Sequence, residues 1–121
     1  MAEYLPLFTP GKAFTLKASA TIVGRQLLAV TGVGTVGPAG AASAAWVGVA
    51  SNDAAVNDNL TVFAEGVQEL TASGAITAGD AVIPGAAGTV ATNASPTTQN
   101  FVGIALNTAA NAALVRVKMA R

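Results

Sequence analysis

A chain of 121 residues with six basic and six acidic side chains, no cysteine and no histidine has the size of one domain, and neither a disulfide framework nor a thiolate metal site is open to it. The missing histidine removes the commonest general base and the commonest metal ligand, while the balanced charge gives no electrostatic case for nucleic acid. Mean hydropathy is high at +0.55, but alanine supplies much of it beside one tryptophan, one tyrosine and four phenylalanines, so the chain suits close packing of small side chains and not a wide ligand cavity.

The first element in chain order is an extended N-terminal arm, residues 1–11, MAEYLPLFTPG. Its two prolines favour an extended backbone, and Tyr4, Leu5, Leu7 and Phe8 make it unusually apolar for a terminus. Such an arm either covers its own sheet or lies along a neighbouring molecule. It lacks the basic and apolar regions of a secretory signal, so a soluble protein made in the cytoplasm is expected. Residues 13–22, AFTLKASATI, then alternate strictly: Phe14, Leu16, Ala18, Ala20 and Ile22 share one face, and Thr15, Lys17, Ser19 and Thr21 the other. That is the pattern of a half-buried strand.

Further along, QLLAV, WVGV, AVI and FVGIAL are short apolar pieces between Gly-, Asn- and Pro-rich turns. LTVFAE (60–65) and LVRVKMAR (114–121) alternate as the first strand does, with Val115, Val117 and Met119 on one face. The alanine clusters at 41–45 and 109–113 favour a helical turn or two and are too short for more. Two uncharged runs, 26–52 and 81–115, are interrupted by turn residues and lack the dense apolar stretch of about 20 residues that a membrane span needs. The expectation is an all-β fold, a compact sandwich or barrel, forming a single domain over 12–121 behind the arm.

Two segments nearly repeat each other: WVGVASNDAA (46–55) and FVGIALNTAA (101–110). The same offset sets Leu60, Val62 and Ala64 beside Val115, Val117 and Met119, and upstream LKASATI (16–22) aligns with LTASGAI (70–76). Strand phase is kept along with identity. A duplicated unit of about 55 residues explains this, with copies spanning 12–66 and 67–121 and sharing one core. Trp46 and Phe101 then become matched core anchors.

No residue pattern announces a reaction. GVGTVG (32–37) fits a dinucleotide fingerprint, but Pro38 and Gly40 follow at once, where the fingerprint needs a helix to receive the pyrophosphate. A glycine-rich hairpin or crossover loop is the better reading. SNDAAVNDN (51–59) carries Asp53 and Asp58, oxygen ligands of the kind calcium uses, but its copy LNTAANAAL has no acid, and turn geometry accounts for the Asn and Asp. Between Ser51 and Asp80 there are acids and no base, with Lys12, Lys17 and Arg25 before and Arg116, Lys118 and Arg121 after. A solvated surface is the ordinary meaning of this segregation, and subunits meeting acidic face to basic face is the sharper one. Catalysis, a cofactor, a metal and a small-molecule substrate are not expected.

From about Thr15 onward the chain resembles the head decoration (capsid cement) proteins of tailed bacteriophages. The resemblance is carried by GVQEL, by AITAGDAVIPGAAGTVAT and by FVGIALNTAANAALVRVKMAR, in which a G-D-x-V strand, a G-x-V hairpin, an x-G-x-A strand and a closing V-R-V strand follow in that order. It implies a non-enzymatic virion protein on the outer capsid surface, often a homotrimer, that clamps adjacent subunits of the major capsid protein. It also implies capsid or inter-subunit contact by Tyr4, Leu5, Leu7 and Phe8, and no nucleic-acid or membrane partner. Another phage structural β module, from a tail, fibre or adhesin, is the alternative.

Overall fold

Short strands joined by tight turns make up residues 13–120, the part of the chain described in a computed structural model. The arm residues Tyr4, Leu5, Leu7 and Phe8 lie outside the described residues. The first five strands are β1 (Phe14–Ala18), β2 (Leu27–Gly32), β3 (Thr35–Pro38), β4 (Trp46–Ala50) and β5 (Asn59–Phe63). They close into a barrel in the order β1-β3-β2-β4-β5. Only β1 and β3 run parallel, through Lys17–Thr35 and Ala18–Val36. The alternation read in the sequence holds along β1 and breaks after Ala18, because Ala20 is exposed in a bend and Ile22 returns to the interior through a bridge to Ala54.

The next five strands are β6 (Val67–Thr71), β7 (Ala81–Pro84), β8 (Val90–Thr92), β9 (Gly103–Ala105) and β10 (Leu114–Met119). Their sheet order is β6-β10-β9-β7-β8, the same cyclic order with β6 in the place of β1. The edges β6 and β8 meet at one parallel bridge, Ala72–Val90, where the first unit has Ala18–Val36, and Ile76–Ala109 repeats the Ile22–Ala54 bridge. Turns repeat too. Arg25 and Gly79 take the same left-handed conformation (φ 73° and 93°), as do Asn57 and Ala112 (φ 74° and 67°). The two copies therefore agree in strand order, in register and at these turns, while β2–β3 closes as a tight hairpin where β7–β8 passes through the short helical turn Ala86–Gly88.

The interiors correspond residue by residue. The first barrel encloses Ala18, Ile22, Leu28, Val36, Ala50, Ala54, Leu60 and Val62. In the second unit Ala72, Ile76, Val82, Val90, Ala105, Ala109, Val115 and Val117 fill the matching places. In place of one common core, each unit has its own interior. The second interior continues into Leu27, Ala29, Ala39, Trp46 and Val49, from the outer face of the first barrel. Leu27 lies at the point of contact. Gly88, in the tight turn Ala86–Gly88 before β8, approaches Gln26 and Leu27, while Glu69 of β6 faces Arg25 at 3.9 Å. The start of β2 thus lies across the weakly joined β6–β8 edge and covers it with apolar surface.

The alanine clusters expected to make helical turns form other turns. Residues 41–45 turn through Ala42 at φ 56°, and 109–113 through Ala112 at φ 67°. A single helical turn fixes several dihedrals for one hydrogen bond. Strand pairing on both sides of each cluster decides the outcome.

Candidate functional surface

Every carboxylate that suggested chemistry is committed to the backbone or to a side chain of its own chain. Asp53 Oδ1 accepts from the Gly24 N–H at 2.7 Å, and Asp58 Oδ2 from the Ala55 N–H at 3.0 Å. Asp80 Oδ2 accepts from the Thr77 N–H at 2.9 Å and from the Thr92 hydroxyl at 3.0 Å. These are the turn-building bonds that Asp makes in loops. They explain why the second copy manages without an acid at the place of Asp53, where Thr108 Oγ1 receives the Ala78 N–H at 3.1 Å. Among the described residues no three His, Cys, Asp or Glu side chains group to hold a metal ion, and no charged or polar residue is buried. GVGTVG forms the β2–β3 hairpin with Gly34 at φ 68° and opens no helix.

The charge segregation resolves partly inside the chain. Glu69 stands between Arg25 at 3.9 Å and Arg116 at 4.0 Å, all three exposed. Ion pairs this long and this wet hold little energy. No helix among the described residues is long and apolar enough to cross a membrane.

What the outer surface does offer is apolar side chains set on a rigid frame. Trp46 is 1 % exposed and belongs to the seam between the units. Phe101, its partner in the repeat, is not in either interior: it is partly exposed and lines a shallow hollow with Ala81, Pro96, Thr97 and Thr98. The physical reason is positional. The first unit's outer face is covered by the second unit, whereas among the described residues nothing plays that part for the second unit's equivalent face. A second apolar region lies in the groove between the units, where exposed Phe63 and Val67 stand beside Val49 and the Arg25–Glu69 pair. Phe14 pairs with Val62, so the chain enters the first barrel next to Phe63. Periodicity had no means of finding either surface, because each depends on which faces the two units leave uncovered.

Comparisons with known proteins agree with this frame. A family described as phage cement protein matches residues 8–120. No curated protein sequence matches the chain. Among solved structures, the N base of head fiber gp8.5 in bacteriophage phi29 is similar in fold, with a TM-score of 0.72 at 21% sequence identity, over 89% of this chain and 92% of that one.

Proposed function

The chain belongs to the phage cement protein family and is a structural protein of the virion; on that premise we propose that it binds the outer surface of the phage capsid and stabilises the shell by bridging subunits of the major capsid protein. The observation that carries this reading is the family match over 8–120. The surface is consistent with it: exposed apolar side chains stand in the groove beside Phe63 and Val67. A protein that spans several subunits adds weak contacts multivalently and requires no single deep site. Tyr4, Leu5, Leu7 and Phe8 supply a further contact to the capsid or to a sister subunit, as an extended apolar segment adds to a sheet edge or groove. On the capsid the working assembly is a homotrimer.

The test is to mix the purified protein with undecorated, expanded capsids and to follow co-sedimentation and resistance to heat. Binding with a raised disruption temperature is expected, and capsids that neither bind it nor gain heat resistance would sink the proposal. Removing residues 1–11 should weaken binding; unchanged affinity would take the arm out of the mechanism. A second reading, that the chain is the base of a fibre standing on the head, is favoured by the head fiber N base as a structural neighbour. Electron microscopy of labelled virions separates the two, since a fibre base carries a projecting appendage and a cement protein does not.

A further inference from the structure

The tandem repeat builds one interface inside the chain, and the second copy of each half of that interface is left open among the described residues. Inside the chain, the turn between β7 and β8 seats on the outer face of the first barrel. There the Gly88 N–H donates to the Ala39 carbonyl at 2.9 Å, and Gln26 Nε2 donates to the Ala87 carbonyl at 3.1 Å. The turn comes so close that a methyl group on Gly88 would lie 2.8 Å from Gln26 Cβ. Around it, Leu27, Ala29, Trp46 and Val49 are at most 7% exposed.

The corresponding turn of the first unit joins β2 to β3. It has Gly34 in the place of Gly88, both left-handed (φ 68° and 78°), and Val33 in the place of Ala87; Ala87 is left-handed too (φ 54°), whereas Val33 is not, so the β2–β3 turn is a tighter hairpin at the same place in the repeat. Val33 is fully exposed, at 103%. The corresponding face of the second unit has Ala81, Ile83, Phe101 and Ile104 in the places of Leu27, Ala29, Trp46 and Val49. Ile104 is 37% exposed, and Ala81 and Phe101 line the hollow closed on its far side by Pro96, Thr97 and Thr98. One unit thus presents an apolar knob, and the other an apolar hollow at the position where the repeat places that knob's seat. The two do not meet within a chain, because Val33 touches nothing.

We infer that the hollow at Ala81 and Phe101 receives the Val33 turn of a second copy of the chain, repeating between molecules the contact that joins the two units within one. The contact is heterologous: each copy offers its turn to one neighbour and its hollow to another. It is weaker than the internal seam for reasons visible in the residues. Asp80 stands in the place of Gln26 and is committed to Thr77 and Thr92, so the amide-to-carbonyl bond is lost. Gly79 stands in the place of Arg25, and Thr15 in the place of Glu69, so the ion pair is lost too. The outcome is reversible association carried by apolar fit, and it does not rest on capsid binding.

Sedimentation of the isolated protein over a range of concentrations tests this with two variants, Val33→Asp and Ile104→Arg. Both positions are exposed, and circular dichroism checks that each variant keeps the fold. The wild type should show concentration-dependent association, and each variant alone should be monomeric. An equimolar mixture of the two should regain a dimer, because the intact turn of Ile104→Arg chains fits the intact hollow of Val33→Asp chains. A wild type monomeric throughout, a variant that associates like the wild type, or a mixture that stays monomeric would each overturn the inference. The chain has no cysteine, so a second measurement is clean. Chains carrying Val33→Cys, mixed with chains carrying Thr98→Cys, should form the mixed disulfide ahead of either homodimer; dominance of a homodimer would also overturn it.

Discussion

At Gly48 a methyl group would lie 2.7 Å from Val62 Cγ1, and at Gly103 it would lie 2.8 Å from Val117 Cγ1, in both cases pressed against the backbone carbonyl of the next residue, Phe63 or Lys118. These are the same position in the two units, and they explain why the doubled phrases keep a glycine in third place. A five-stranded ring brings β4 onto β5, and β9 onto β10, too closely for any side chain at the crossing. We expect Gly48→Ala and Gly103→Ala each to cost about 1–3 kcal/mol, the range for overpacking, measured by urea denaturation, with Gly103 the more severe because the Lys118 carbonyl crowds it more closely than the Phe63 carbonyl crowds Gly48. The aromatic residues two places earlier behave oppositely. Trp46 fills the seam, so Trp46→Ala should cost about 3–5 kcal/mol. Phe101 is only partly buried, so Phe101→Ala should cost about 1–2 kcal/mol. Equal losses at the two positions would contradict the different surroundings they have here.

Between elements, apolar cover and not charge joins the two units. Arg25 and Arg116 flank Glu69 at 3.9 and 4.0 Å with all three side chains exposed, so Glu69→Gln should change stability by no more than about 0.5 kcal/mol and leave the melting temperature nearly unaltered in high salt. Leu27, which is fully buried where β2 crosses the β6–β8 edge, should matter far more, with Leu27→Ala costing about 2–5 kcal/mol. Much of the element level was legible in the sequence. Alternation located β1, β5 and β10, since one buried face enforces period two, and the offset pairs, from Leu16 with Leu70 to Val62 with Val117, located the duplication. What stayed hidden was the division of the core. Leu27 and Leu28 are neighbours in sequence and both buried, yet Leu28 faces into its own barrel and Leu27 into the seam. A continuous apolar run has no phase to distinguish these two destinations. Phe101 was misplaced because its place in the repeat matches Trp46, while burial at that place depends on cover from another unit, which among the described residues only Trp46 receives.

For the whole molecule, the seam decides whether the barrel and the second, weakly closed sheet behave as one body. A unit of roughly 55 residues buries a modest share of its surface and is marginal alone. The second is further weakened where β6 and β8 share only the Ala72–Val90 bridge. Its interior is completed by Leu27, Ala29, Ala39, Trp46 and Val49 of the first unit, so opening the seam would expose both units' apolar surface at once. The two should therefore unfold together. The single tryptophan makes this measurable, because Trp46 sits in the seam and reports its opening, while far-ultraviolet circular dichroism reports strands in both units. In urea the two signals should share one midpoint and one slope, as a two-state transition requires. Leu27→Ala should move both midpoints down by the same amount. A fluorescence change well ahead of the loss of strand signal would mean that the units separate before they unfold, and that the seam is a docking contact and not part of a common core.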